Sequence, residues 1–420
     1  MSSPLALLGG QPAVSHTKPH FTWPPLSERT VTAVLNQLQE SISIYDRSGV
    51  IARLEDALCE YYGSAHAVLT SSGTAALYSA YAACGLRSGD EVLVPAYTFL
   101  ATATPLFHLG AIPVPADCDE TGNLDPKDAS QRLTTKTKAI MVTHLWGFPA
   151  DMAALGALAD EHGLTLLEDG SHAHGAAIDG QRVGTFGKVA AFSLNGPKPL
   201  SAGEGGFIVT DDDDIFYHVL LHGHYNKRCC VELPPAHPLY PYAVTGMGLK
   251  FRIHPLAAAI AFEQLELLDS YLDQRAEIAR LMCGKLSQLP GITTPKLSYD
   301  VRSSWYGLAL QYRSDELEGL PVERFYEALK AEGCLEVDRP GSTCPLNLHR
   351  LFQEPAALFP EYKDILSYSP GDFPIAERVH HNTLKLPVWH REEDLPLVNS
   401  YIEAFRKVVE RYRDLLIAQI

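Results

Sequence analysis

The residues best able to do chemistry lie between 191 and 206. Ala191-Phe192-Ser193-Leu194-Asn195-Gly196-Pro197-Lys198-Pro199-Leu200 runs into Gly203-Glu204-Gly205-Gly206, which puts one lysine on a turn between two apolar segments. Prolines and small residues restrict the backbone there and leave room for something flat beside the amine. A lysine forms a Schiff base only when partly unprotonated, and desolvation or a neighbouring cationic ring lowers its pKa enough to allow that. Lys198 is therefore the candidate covalent anchor for a cofactor, although a single lysine in such a turn is more often a solvated charge.

Upstream, residues 164–167 read as a short buried strand ending in Glu168-Asp169-Gly170-Ser171-His172-Ala173-His174-Gly175. Ligands of α/β sheets sit at the carboxyl ends of strands, so Asp169 can meet a bound cofactor. Its expected work is to pair with a protonated pyridine nitrogen, keeping the ring electron-poor; the competing reading is a turn cap. Residues 67–70 form a second strand-like run. It passes through Ser71-Ser72-Gly73-Thr74 into the helix-forming stretch 75–83, a helix start whose free amides and hydroxyls can bind phosphate. Ser72 or Thr74 can equally serve as an ordinary N-cap. A third strand, Glu91-Val92-Leu93-Val94-Pro95, leads to Tyr97-Thr98-Phe99, and Phe99 is the aromatic best placed to stack on a planar ring, or else it is core.

These motifs, in this order, resemble the DegT/DnrJ/EryC1/StrS family of pyridoxal-phosphate (PLP) aminotransferases, which has the type I aspartate-aminotransferase fold. The resemblance extends to Leu8-Gly9-Gly10-Gln11-Pro12, Ser72-Gly73-Thr74-Ala75-Ala76-Leu77, His144-Leu145-Trp146-Gly147 and Arg252 with the alanine-rich stretch after it. It implies that Lys198 holds PLP as a Schiff base and carries the proton between cofactor and substrate carbons, and that Asp169 holds the pyridine nitrogen. His172 would lie near the ring hydroxyl, Gly73, Thr74 and Ser193 would bind the phosphate, and Phe99 would stack on the ring. Relatives that dehydrate carry histidine where this chain has Lys198, which favours transamination. The resemblance further implies a glutamate or glutamine donor and a keto-sugar or keto-cyclitol acceptor of natural-product or amino-sugar biosynthesis. Two other readings stay open: a PLP-dependent dehydratase, epimerase or lyase, and a non-enzymatic PLP-binding regulator. One departure concerns Gly248-Leu249-Lys250-Phe251-Arg252. Many relatives have asparagine at the position of Lys250, reaching across a homodimer interface to the neighbour's cofactor phosphate; Lys250 would do this as a longer point charge.

The surrounding elements are those of an α/β protein. Apolar runs at 67–70, 91–95, 112–115, 139–143 and 164–167 alternate with helical periodicity such as 153–161, which predicts a mostly parallel sheet with crossover helices. From about residue 255 the character changes to a long helical stretch, 256–286, followed by segments at 305–312, 322–332 and 394–412. The expected organisation is a large PLP-binding domain with an N-terminal arm over 1–255 and a smaller α+β domain over 256–420. Residues 340–374, dense in proline, glycine and polar residues, read as a loop that could wall the substrate pocket.

The chain of 420 residues is 46% hydrophobic and 20% charged, ordinary for a globular enzyme, and its net charge of −16 argues against a nucleic-acid or anionic-membrane partner. No apolar run approaches the roughly 18 residues of a membrane span and no leader pattern opens the chain, so a cytoplasmic address is expected. The eight cysteines include no C-x-x-C pair and read as reduced thiols. His172 with His174, His222 with His224, and His380 with His381 lack further ligands nearby in sequence, so no metal is expected. The run Asp211–Asp214 reads as a solvated turn.

Overall fold

The computed structural model describes residues 4–16, 18–298 and 300–417. In chain order its strands are β1 (His66–Thr70), β2 (Glu91–Pro95), β3 (Tyr97–Phe99), β4 (Ile112–Ala116), β5 (Thr137–Thr143), β6 (Thr165–Asp169), β7 (Ala177–Ile178), β8 (Gln181–Arg182), β9 (Val189–Ser193) and β10 (Gly206–Thr210). The second half adds β11 (Ile292–Thr293), β12 (Val301–Arg302), β13 (Leu308–Tyr312), β14 (Thr343–Pro345) and β15 (Thr383–Leu386). Seven of these make the main sheet, in the order β1-β10-β9-β6-β5-β2-β4. Neighbours from β9 to β4 pair parallel, whereas β10 is antiparallel to both β9 and β1. β1 therefore points the same way as the parallel set. The carboxyl ends of β1, β9, β6 and β5 meet at one edge, where β10 begins.

Residues such as Val92, Leu93, Val94, Ile140, Met141 and Val142 are fully buried. Covered on both faces, these strands read as continuous apolar runs rather than as alternation. The helix Gly73–Ala83 packs with Ala76 and Ala80 buried, and its side chains are small enough to let it lie close on the sheet. Among the described residues no helix is long and apolar enough to cross a membrane.

The helix Pro255–Leu286 links two cores. Its first half buries Ala258, Leu265 and Leu268 against Leu54, Phe192 and Phe207. Its second half buries Ile278 and Met282 with Leu308, Leu310, Phe325, Leu384 and Phe405, beside the antiparallel sheet β11-β13-β15. Packing crosses the 255/256 position in both directions. Leu5 and Val14 belong to the second core, while Leu346, Phe352, Tyr362 and Leu366 belong to a core of the main sheet.

Residues 340–374 are more than a loop. β14 pairs with β3, and the buried Tyr362 donates its hydroxyl to the Ala111 carbonyl at 2.7 Å. Composition hid this, because the packing is done by a few aromatics spaced among prolines. The aspartate run is likewise a helix start and not a free turn. Asp212 Oδ1 accepts from the Ile215 amide at 3.0 Å, and Asp213 and Asp214 fill the first turn of Asp213–Gly223, where negative charge suits the helix dipole.

Candidate active site

Lys198 sits on the connection between β9 and β10, at the sheet edge where the strand ends converge. The loop is closed by Lys198 N donating to Asn195 O and Gly196 N donating to Gly203 O, and the Trp23 indole donates to Lys198 O at 2.7 Å. Its ammonium lies 4.6 Å from the centre of the Tyr306 ring in a buried setting. Burial lowers its pKa to about 8, with Asp169 opposing the shift and Lys385 adding to it. That lowered pKa raises the share of unprotonated amine near neutral pH, which nucleophilic chemistry requires.

Asp169 and Glu168 end β6 side by side, so they face opposite ways. Glu168, fully buried, accepts from the amides of Gly184, Phe186 and Gly187 and from His144 Nε2. Its capacity goes to holding the 184–187 turn and His144. Asp169 faces the cavity instead: Oδ2 accepts from the Thr102 hydroxyl at 2.8 Å and Oδ1 from the Ser171 amide at 3.1 Å. Thr102 in turn contacts Thr98 at 2.7 Å, and Thr98 contacts Thr143 at 3.2 Å, a relay of hydroxyls that fixes the carboxylate while leaving it lone pairs to accept another donor.

Lys198, Asp169, His172, Gly73, Thr74, Ser193 and Phe99 line one cavity of about 360 Å3, together with Ser72, Asn195, Glu204, Tyr306, Ser342 and Thr343 among others. Ser72 caps the helix through the Ala75 amide, which leaves the first amides, those of Gly73 and Thr74, without intrahelical acceptors. A Cβ on Gly73 would lie 2.5 Å from Ser193 Cβ, so only glycine lets the helix start close on the end of β9. The His172 ring stacks on Tyr306 at 4.2 Å, and its buried Nδ1 has no partner among the described residues. Burial, then the charges of Lys198 and Lys385, push its pKa well down, so the ring is neutral. Phe99 remains 39% exposed at the cavity mouth.

Residues 27–398 match the DegT/DnrJ/EryC1/StrS aminotransferase family. The chain belongs to that family. It is an aminotransferase with the family's α/β fold. Over 99% of both chains it is 32% identical to the L-glutamine:scyllo-inosose aminotransferase of Streptomyces griseus, and over 97% of both it is 33% identical to the L-glutamine:2-deoxy-scyllo-inosose aminotransferase of Streptomyces kanamyceticus. Among solved structures, an aminotransferase from Psychrobacter cryohalolentis superimposes with a TM-score of 0.81 at 27% identity, covering 93% of this chain and 98% of that one.

Of the residues expected to hold the cofactor, Lys250 is the one that lies outside this cavity. It lines a separate cavity of about 300 Å3 with Tyr45, His224, Tyr225, Asn226, Lys227 and Arg252. Some residues of the main cavity, and one that supports it from behind, escaped the sequence reading. Thr102, which holds Asp169 without lining the cavity, carries no sequence signal, since it stands on a turn after Phe99 and reaches Asp169 only through the fold. Glu204 did lie within the Gly203–Gly206 motif, and its contact with the Asn195 side chain at 3.0 Å was within reach of a reading that assigned each polar residue of the motif a partner. Tyr306 comes from the distant second half of the chain and could not be placed without the structure, whereas Ser342 and Thr343 belong to the 340–374 segment expected to wall the pocket, and they do line the cavity.

Proposed function

We propose that this aminotransferase binds PLP at Lys198 and moves the amino group of L-glutamine to the ketone of a cyclitol. The carrying observation is that an amine with its pKa pushed down to about 8 and a carboxylate face one cavity from neighbouring strand ends, beside an open helix start. Relatives that match along nearly their whole length are named for L-glutamine and for scyllo-inosose or its 2-deoxy form, which favours that donor and acceptor class over L-glutamate and a nucleotide-linked keto-sugar.

The residues fit the cofactor. Gly73, Thr74 and Ser193 offer two amides and a hydroxyl for a phosphate at a helix N-terminus, and a larger residue at 73 would close that cradle. The orphaned Nδ1 of His172 is a ready partner for a ring hydroxyl, and Phe99 is free to cover a ring face. Bound there, PLP supplies a sink for the electrons left on the donor's α-carbon when its proton departs. Asp169, its carboxylate oriented by Thr102 and Ser171, would pair with the pyridine nitrogen. Lys198 Nζ would hold the cofactor and, once freed by the donor, would take up the α-proton. Tyr306 walls the amine and His172 away from water.

A second copy of the chain completes the site. Lys227, Lys250 and Arg252 converge on one cavity and make no ion pair among the described residues, in a chain of net charge −16. Arg252 lies over Tyr45, and Tyr45, Ile42 and, on the helix Glu28–Glu40, Val31, Leu35 and Leu38 are exposed apolar side chains. These features favour a homodimer in which Lys250 meets the partner's cofactor phosphate.

The test is a half-reaction screen. L-glutamine should convert the bound cofactor to its pyridoxamine form stoichiometrically, and that form should then aminate a keto-cyclitol in preference to nucleotide-linked keto-sugars. A bound cofactor unchanged by every amino acid would instead favour the lyase or epimerase reading or the non-enzymatic regulator.

A further inference from the structure

We infer that Arg275 is a positioning residue for Lys198 and Tyr306, acting through the Trp23 side chain and the Trp305 carbonyl; this rests on the function proposed above. Arg275 lies on the long helix Pro255–Leu286 and is 2% exposed. Its Nη1 donates to Trp305 O at 3.2 Å, its Nε has no acceptor among the described residues, and its Cζ sits 3.8 Å from the centre of the Trp23 ring. No carboxylate pairs with it among those residues, and burial pulls its pKa down to about 9. A buried charge held only by a ring face and one carbonyl costs stability that an apolar side chain of similar length would not.

The two groups it grips each lead to Lys198, one to its backbone and one, through Tyr306, to its amine. Trp23 packs edge-on against Tyr271 and His390 and uses its indole N–H to hold the Lys198 carbonyl at 2.7 Å. Trp305 stands in the left-handed region at φ 53, an uncommon place for a bulky residue, with its amide held by the Ser303 hydroxyl. The next residue is Tyr306, whose ring carries the Lys198 ammonium on one side of the cavity and stacks on His172. One guanidinium thus ties the N-terminal segment and the 303–307 turn to the same helix. Release of either tie lets the lysine turn or its aromatic wall shift, which admits water to the amine and carries it out of reach of the donor's α-carbon.

Two variants separate this from a packing role. Trp23→Phe keeps a ring for the guanidinium and deletes only the N–H that holds Lys198; Arg275→Met keeps length and removes the charge. Both are expected to melt within a few degrees of the parent, to lower kcat about tenfold to a hundredfold, and to leave the donor KM nearly unchanged. In cofactor-free protein, the pH midpoint for acylation of Lys198, followed by mass spectrometry, should rise by about one unit as the amine regains water. Its charged and titratable neighbours Asp169, Lys385, His172 and His174 stay in place in both variants. A folded Trp23→Phe protein with parental kcat and parental midpoint overturns the inference, as does an activity loss that only tracks the loss of folded protein. If Arg275→Met does not fold, Trp23→Phe decides alone. A parent that transaminates no donor, with variants whose midpoint still moves, sinks the proposed function and leaves this inference standing.

Discussion

The cavity around Lys198 and the cavity around Lys250 each gather lysine with aromatic and histidine side chains, yet they treat charge in opposite ways. In the first, one buried amine shares the cavity with the carboxylates of Asp169 and Glu204 and with several hydroxyl side chains. In the second, three cations share a wall with no acid, and Lys250 is exposed. Burial turns a lysine into a group that can lose its proton; exposure leaves it a fixed positive charge. The first cavity suits bond-making and the second suits holding an anion.

Removing Lys198 strikes hardest at that contrast. Lys198→Ala should lose activity by a factor on the order of 10^5 or more, and borohydride should no longer fix the cofactor to the protein. A reducible covalent adduct in this variant would place the anchor elsewhere. Asp169→Asn comes next: with the phosphate cradle intact the cofactor stays bound, while the donor half-reaction slows by roughly 10^3. Near-parental rates in Asp169→Asn would remove its role at the pyridine nitrogen.

The second cavity predicts a smaller loss with a particular signature. Lys250→Ala should weaken cofactor binding about tenfold, the worth of one charge-assisted hydrogen bond. Lys198→Ala and Lys250→Ala chains mixed into one dimer should recover part of the activity, because one of the two sites then has both residues. Mixed dimers without recovery, or a monomer in solution, would break the shared site.

The pH response sharpens the contrast further. The charged form of Lys198 is disfavoured by burial, so in cofactor-free protein its reactivity should rise through about pH 8. A midpoint near that of an ordinary lysine would mean water reaches the amine freely. Thr102→Val should have the least effect, a few-fold in rate for the loss of one neutral donor to Asp169. Measured against Asp169→Asn, that ratio shows how much the carboxylate depends on its hydroxyl relay.

Much of the site was legible in the sequence because it is assembled from strand ends. Asp169, Ser193 and Lys198 follow apolar runs, Gly73 and Thr74 follow β1 into a helix, and a parallel sheet brings such ends to one edge. The domain plan was less so. The sequence changes character at residue 255, but packing does not respect the change: Leu5 and Val14 cross to one core, and Tyr362 returns to the other. Thr343, at the start of β14, reaches the cavity because β14 pairs with β3, a contact between residues far apart in the chain that no local periodicity records. Lys250 was singled out as a departure from a motif, and the neighbours that give it meaning, Lys227 and Arg252, show their convergence only in three dimensions.

Glu168 takes no part in the cavity, yet it determines which carboxylate does. Its four donors come from the turn at 184–187 and from His144, so the end of β6 is pegged from the far side of the sheet. A slip of one residue would turn glutamate toward the cavity and aspartate toward the turn, and would empty all four contacts at once. The strand end is therefore a fixed datum from which the rest of the pocket is measured. Change in this protein can accumulate in the cavity wall contributed by residues 342–343, where β14 begins, while the ruler itself stays the same length.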